Sequence, residues 1–328
     1  MPPIPGLSET PYLTNEEIFH IPELPKHLLV LGGGPIGLEL AQAFRRFGSE
    51  VTVIEMMKAL GRSDPDHAAV AVGALRDEGV NILEGHKAVK ISGTDGAVSV
   101  EVEHETGNKT IDGTHLLVAV GRKAAIGGLN LEAGNVDNDG RHITVGQTLR
   151  SKSNKKVWAL GDVAGLGQFT HTAGWHASVF TRRALFKQRS KADSLPPPAV
   201  TYTSPEVAQL GLTEAEARAQ HGDDVKTSSF PFHENDRAIA EGKTLGEAKI
   251  IIKGSKILGA HVVGEGAGDI IQLVSVAMSN NLKLTALTNF VSPYPTRAEA
   301  VKRASSAHFT PVVFGSKMKK LVSILKRF

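Results

Sequence analysis

Three glycines, Gly32, Gly34 and Gly37, stand in the spacing G-x-G-x-x-G, and an acid, Glu55, follows eighteen positions after the last of them. The chemistry this spacing suits is the holding of a dinucleotide. Glycine lets the chain turn where a side chain would block it, so backbone N–H groups approach a pyrophosphate. The helix opened by such a turn adds partial positive charge from its unpaired N–H groups. An acid about 20 residues further on accepts from both hydroxyls of an adenosine ribose. Glu55 also favours NAD over NADP, because a 2′-phosphate about 4 Å from its carboxylate is repelled by ~4 kcal/mol at an effective dielectric near 20. Lys58 and Arg62 lie just beyond; they either offset part of that repulsion or are solvated loop charges.

Other chemistries find fewer residues. The chain has no cysteine, so it offers no disulfide, thiolate metal site or thiol nucleophile. His171 and His176 are five apart and so do not share a helix face at i,i+4; no metal site is expected. A net charge of +3 over 328 residues is too mild to argue for nucleic acid. No apolar run approaches the ~18–20 residues that span a bilayer. The opening PPIPGL carries no basic and apolar leader, so a cytoplasmic protein is expected, and it reads as linker chemistry.

The elements that must position the glycines are legible around them. The first 26 residues are broken by prolines and read as a connecting segment. His27 to Leu31 (HLLVL) suits a strand buried on both faces. Pro35 stands where a first helical turn tolerates it, Ile36, Leu40, Ala43, Phe44 and Phe47 recur at helical spacing, and Gly48 ends the run. Val51 to Ile54 makes a second buried strand ending at Glu55. A further helix is predicted from Asp64-Pro65 to near Gly79, then a strand at Val80 to Leu83, then an antiparallel meander from Lys87 closed by an apolar strand ending at Val120. Beyond Gly121-Arg122 the pattern predicts one apolar strand (VWAL) and a helix from about Thr172 to Lys187. A triple proline, 196–198, precedes an α+β region with strands KTSSFPF, EAKIIIK and KILGAHVV and helices near Thr213–Gln220 and Asp269–Asn280.

These segments resemble the flavoprotein (pyridine nucleotide-disulfide) oxidoreductases, the family of dihydrolipoamide dehydrogenase, glutathione reductase and mercuric ion reductase. LPKHLLVLGGGPIGLELAQAFRRFGSEVTVIE is similar to the opening unit of the NAD domain, and VWALGDVAG to the second flavin motif. VTYTSPEVAQLGLTEAEA and KILGAHVVGEGAGDIIQ resemble the interface domain, and YPTRAE the catalytic loop. The resemblance implies an α/β fold with a Rossmann-type NAD-binding domain at 27–122 and a partial FAD-binding domain at 123–195. It further implies an α+β dimerisation domain at 196–310, preceded by a flavin-domain remnant at 1–26. Gly32, Gly34, Ile36, Gly37 and Glu55 would hold the NAD adenosine half, and Gly121 and Arg122 would close over the nicotinamide side. Glu39 would lie near nicotinamide and flavin, and Gly161 and Asp162 would meet the ribityl chain. His171 falls near a histidine that the family places beside the flavin. Tyr294 and Glu299 would be the catalytic pair, reaching the flavin of a partner in a homodimer.

Two departures qualify the activity. The family's first flavin motif and redox cysteine pair are not in this sequence, so NAD(H) is the expected cofactor and FAD is expected only with that half present. The dithiol reductases carry histidine where this chain has Tyr294; a phenol titrating near pH 10 is a poor base at neutral pH, and tyrosine there is closer to mercuric ion reductases. Tyr294 could also be a packing aromatic. The expected function is an NAD(H)- and FAD-linked oxidoreductase passing hydride from NADH to flavin in its complete form and inactive as this chain alone. The alternative is a non-catalytic NAD-binding dimerisation module.

Residues 311–328 form a basic tail. In KMKKLVSILKRF, Met318, Leu321, Val322 and Leu325 share one helical face, while Lys317, Lys319, Lys320, Lys326 and Arg327 occupy the others with no acid between them. Such a helix either docks its apolar face on its own protein or makes weak contact with an anionic membrane surface.

Overall fold

The computed structural model describes residues 2–192 and 197–326. Pro196 and the expected boundary beside it, with Arg327 and Phe328, lie outside the described residues. The chain divides into two compact units, one made of Met1–Gly121 with Val200–Phe328, the other of Arg122–Ala199.

The first unit is built around a parallel sheet. Strand β1 (His27–Leu31) leads into helix α1 (Pro35–Phe47), which returns to strand β2 (Glu50–Ile54). Pro35 takes the first helical turn, and Gly48, at φ 110°, ends the helix in a left-handed conformation that side chains resist. Helix α2 (Pro65–Asp77) and strand β3 (Asn81–Leu83) follow, then the antiparallel strands β4 (Lys87–Thr94), β5 (Ala97–Glu103) and β6 (Lys109–Gly113), and β7 (His115–Val118). The order in the parallel sheet is β3-β2-β1-β7. β1 pairs in parallel with both neighbours, His27 opposite Glu50 and Leu28 opposite His115. The continuous run HLLVL is thereby buried on both faces, as a central strand requires.

The opening segment is more than a connector. Leu7 and Ile18 are each 1% exposed and sit in the two cores on either side of the sheet. Leu13 bridges Leu117 in parallel: its N–H donates to Leu116 O at 2.7 Å, and it accepts from Val118 N at 2.8 Å. The prolines remove donors only at their own positions, so an apolar residue between them is still free to extend the sheet past β7.

The second unit has little regular structure. Its one α-helix among the described residues, α3 (Thr170–Phe180), runs into a π-helical turn at Thr181–Leu185. Val136, Ile143, Leu149, Ala159 and Val179 form its core. The strand expected at VWAL does not form; Trp158 makes an isolated bridge to Arg150. A β-strand is a pairing rather than a property of a sequence, and among the described residues no strand runs beside it.

The chain re-enters the first unit through β8 (Ala199–Thr201) and β9 (Glu206–Gly211). Helix α4 (Glu214–His221), opened by a Thr213/Glu216 capping box, precedes β10 (Val225–Pro231) and the short α5 (Asp236–Ala240). Strands β11 (Glu247–Lys253) and β12 (Lys256–Gly264) are followed by α6 (Ala267–Ser279), α7 (Glu299–Ala307), α8 (Thr310–Val313) and α9 (Ser316–Leu325). The second sheet runs β10-β11-β12-β9-β8, antiparallel from β10 to β9. With a parallel sheet and a separate dimerisation-type sheet, the α/β class expected from the sequence is the class observed.

The two sheets of this unit share a core. Val207 and Val263 from the second sheet pack with α1 and α2 residues. Beside them lies a polar seam. Asp64, 2% exposed, caps α2 by accepting from Asp66 N at 3.1 Å and also accepts from Lys249 Nζ on β11 at 2.9 Å. His67, 1% exposed, meets Glu247 Oε1 at 3.1 Å through Nε2. His261 donates from Nε2 to Leu212 O at 3.1 Å, and its ring centroid is 6.3 Å from that of His67. Burial pushes the Asp64 carboxyl up, but Lys249 and the neighbouring histidines together hold it below the usual carboxylate range. Burial, aided by the charges of His67 and Lys249, pushes His261 down against the opposing pull of Leu212 O and Asp64.

The tail helix forms as expected, but it does not dock. α8 and α9 bury no residue. No described helix is long and apolar enough to cross a membrane.

Candidate functional site

The glycine turn lies at the carboxyl end of β1. Gly32 has φ 104°, and a Cβ there would come within 2.6 Å of Ala119 O at the end of β7. A Cβ on Gly37 would meet Gly32 O at 2.0 Å, so that glycine is what lets α1 pack on the turn. Gly34 differs: a Cβ there would meet nothing within 4 Å. The space in front of Gly34 is therefore open, at the N-terminus of a thirteen-residue helix whose first N–H groups have no intrahelical acceptors. Ile36 is half-buried on the same first turn.

Glu55 is held ready beside it. Its Oε2 accepts from Gly33 N at 2.7 Å and its Oε1 from Met57 N at 2.8 Å. These two donors escaped the sequence reading, although Gly33 is the middle of the glycine run. A Cβ on Gly33 would crowd Ala59 Cβ at 3.1 Å and Glu55 Cβ at 3.2 Å, so the middle glycine of the run is what allows the carboxylate this close.

Glu39 is half-buried on α1 and accepts from Tyr202 N at 2.8 Å; burial raises its carboxyl above the ordinary range despite that hydrogen bond. One turn on, Gln42 exchanges two hydrogen bonds with the Ser204 backbone, each 2.8 Å. Glu39 and Gln42 together fix the backbone of residues 202–204 against α1. Neither contact has a sequence signal, because the partners are more than 160 residues apart.

Tyr294 is exposed, and its hydroxyl donates to Asp236 Oδ2 at 2.8 Å. That carboxylate raises the phenol's pKa further above its usual value, so it is a proton donor and not a base at neutral pH. Glu299 opens α7, where its Oε1 accepts from Arg303 Nε at 2.9 Å. Gly121, at φ 136°, is exposed at the end of the first segment of its unit.

In the second unit Arg122 donates to the Gln168 carbonyl. Gly161, at φ 68°, donates its N–H to Nδ1 of the buried His176 at 3.0 Å; this fixes Nδ1 as an acceptor, and burial pushes the ring's pKa down. Asp162 is half-buried in the turn that follows. His171 stacks on Phe169 and bonds Pro198 O at 2.9 Å through Nε2, so the two histidines have separate partners. Among the described residues no group of three or more His, Asp or Glu is placed to hold a metal ion.

Residues 1–177 match the model of the pyridine nucleotide-disulphide oxidoreductases, and residues 197–305 match the dimerisation domain of the same family. The chain belongs to the pyridine nucleotide-disulphide oxidoreductases. Over 308 residues it is 35% identical to mercuric reductase of Lysinibacillus sphaericus, covering 93% of this chain and 56% of that one. Mercuric reductase of Staphylococcus aureus is 33% identical over the same span and share. The chain thus spans a little over half the length of these mercuric reductases. The HOCl-induced flavoprotein disulfide reductase RclA of Escherichia coli superposes with a TM-score of 0.83 at 30% identity, over 93% of this chain and 70% of that one.

Within this pyridine nucleotide-disulphide oxidoreductase, the residues at Gly32–Gly37 fit the pyrophosphate of a dinucleotide: an open cradle at Gly34, backbone donors and a helix N-terminus, with the Glu55 carboxylate bonded to Gly33 N beside it. FAD finds less. Gly161 and Asp162 form a turn in a unit without a parallel sheet, and among the described residues the second unit has no strand-to-helix glycine cradle.

Proposed function

We propose that this chain is the NAD(H)-binding and dimer-forming part of a mercuric reductase-like flavoprotein oxidoreductase. The carrying observation is the cradle itself: a Cβ on Gly34 would meet nothing, while Glu55 stands pinned by Gly33 N and Met57 N. The N–H groups at the start of α1 bind the pyrophosphate, and Glu55 accepts the adenosine ribose hydroxyls and disfavours a 2′-phosphate. Ile36 lines the first turn, and the family resemblance is what supports a nicotinamide-side role for Gly121 and Arg122. Bound NADH supplies a hydride. Glu39 fixes the backbone at Tyr202 against α1, and the Tyr294 hydroxyl, held by Asp236 and near the Glu299 carboxylate, would be the proton donor to an acceptor. The partial flavin region at 123–195 contributes Gly161 and Asp162. With no cysteine in the sequence, a thiol–disulfide step has no residue to run on.

A non-catalytic NAD-binding dimerisation module is the second reading, favoured by the single glycine cradle. Titration calorimetry of the purified chain should give NADH binding that is at least tenfold tighter than NADPH, and Glu55→Ala should bring the two within a few-fold of each other. No heat with NADH would end both readings. A stoichiometric flavin absorption band in the purified protein would discard the second and show that 123–195 holds FAD unaided.

A further inference from the structure

The residues after the matched dimerisation region form a surface of unusual make-up. The match ends at residue 305, and α8 and α9 follow with no buried residue between them. Val312 is 66% exposed, Phe314 67%, Leu321 47%, Val322 43% and Leu325 60%. At about 100° per residue, Met318, Leu321, Val322, Ile324 and Leu325 fall on one side of α9 within an arc of roughly 160°. Lys320 borders that arc on one edge and Lys326 and Lys319 the other, while Lys317 falls between Ile324 and Leu321. None of these four lysines is paired with a carboxylate among the described residues, and the sequence has no acid from Thr310 to its last residue.

We propose that α8 and α9 are a peripheral membrane anchor that lies flat on an anionic lipid surface. Two properties of this surface point to lipid. The face is apolar along both helices, which favours a medium that accepts side chains without shape. The lysines flank the face on both edges, where their stems run beside the buried arc and their ammonium groups reach the headgroup plane. An unpaired helix with both properties gains from apolar burial and from charge together. One short apolar helix alone binds weakly, and each surface lysine near an anionic leaflet adds about fivefold in affinity. The attachment is therefore reversible and depends on salt. The proposal stands independently of nucleotide binding.

The test uses the full chain and vesicles of phosphatidylcholine with or without about one-third phosphatidylserine, at low ionic strength. The chain should pellet with the serine-containing vesicles, bind at least tenfold less to phosphatidylcholine alone, and come off as salt shortens the screening length. The double variant Leu321→Asp with Leu325→Asp should stay in the supernatant. The variant Lys319→Glu with Lys320→Glu should lose tenfold or more. Both should keep the parent's circular dichroism and NADH affinity. A parent chain that never pellets overturns the anchor, and so does an aspartate variant that binds as well as the parent. If the aspartate variant instead sediments at half the parent's mass, the face is covered by a second copy of the chain and the lipid proposal fails.

Discussion

The two inner glycines of the turn separate binding from folding. At Gly37 a methyl group would run into Gly32 O at 2.0 Å, backbone against backbone, with no flexible end to yield. At Gly34, where φ is −77°, the conformation suits any residue and the methyl would point into open space. Gly37→Ala should therefore destabilise the fold by roughly 1–3 kcal/mol, the usual range for overpacking. Gly34→Ala should leave the melting temperature within about a degree or two, since open surface substitutions cost little. It should still weaken NADH by tenfold or more, because the methyl takes the volume a phosphate needs. A thermal melt and a calorimetric titration of each variant check this. Equal NADH affinity for Gly34→Ala and parent would take the pyrophosphate away from α1.

At the scale of elements, α2 and β11 are joined by charge as well as by apolar packing. Asp64 and Lys249 have side chains 3% and 11% exposed, so each is the other's chief compensation for lost water. Lys249→Met should cost ~3–5 kcal/mol, because it strands a buried carboxylate, whereas adding Asp64→Leu should return most of that loss. Urea unfolding of the single and double variants reads both numbers. The pH dependence has a definite sign. The native Asp64 carboxyl is held below its unfolded value, so its contribution is present above the ordinary aspartate range and is lost as pH falls through the depressed native value. The parent should lose this increment in acid, and the double variant should have none to lose. The seam could not be read from the sequence, because Asp64 and Lys249 are separated by 185 residues and each looks alone like a surface charge. The β1–α1–β2 unit and α2 were legible, because their apolar spacing and their glycine and proline stops are local. α7 was missed: its buried positions are Ala300, Val301, Ala304 and Ser305, too small to stand out as an apolar stripe. VWAL was read as a strand from composition alone, where the deciding quantity was a neighbour. At the site, the glycines and Glu55 were legible as a spacing, while Tyr202, Gln42 and Asp236 act through backbone or long-range contacts that no spacing records.

For the whole molecule, Val276 on α6 is 61% exposed and Val291, in the loop ahead of α7, 94% exposed within a region matched to a dimerisation domain. We expect a symmetric dimer through these surfaces, in which Tyr294 faces the other copy. Sedimentation equilibrium should give twice the chain mass of 34.8 kDa at tens of micromolar, and Val291→Asp should shift it towards one copy. A monomer throughout would remove the interface. The buried seam has one further consequence, in the time domain of synthesis. Asp64 and His67 precede their partners Lys249 and Glu247 by 185 and 180 residues. At about 5–20 residues per second, the acid leaves the ribosome roughly 10–40 s before the lysine that neutralises it. All of Arg122–Ala199 is made within that interval. For that time the nascent half around the glycine turn keeps a hydrated carboxylate and an apolar patch open to solvent, to chaperones and to proteases. The half that carries the glycine cradle is thus translated first, yet the last strands to emerge decide when it closes.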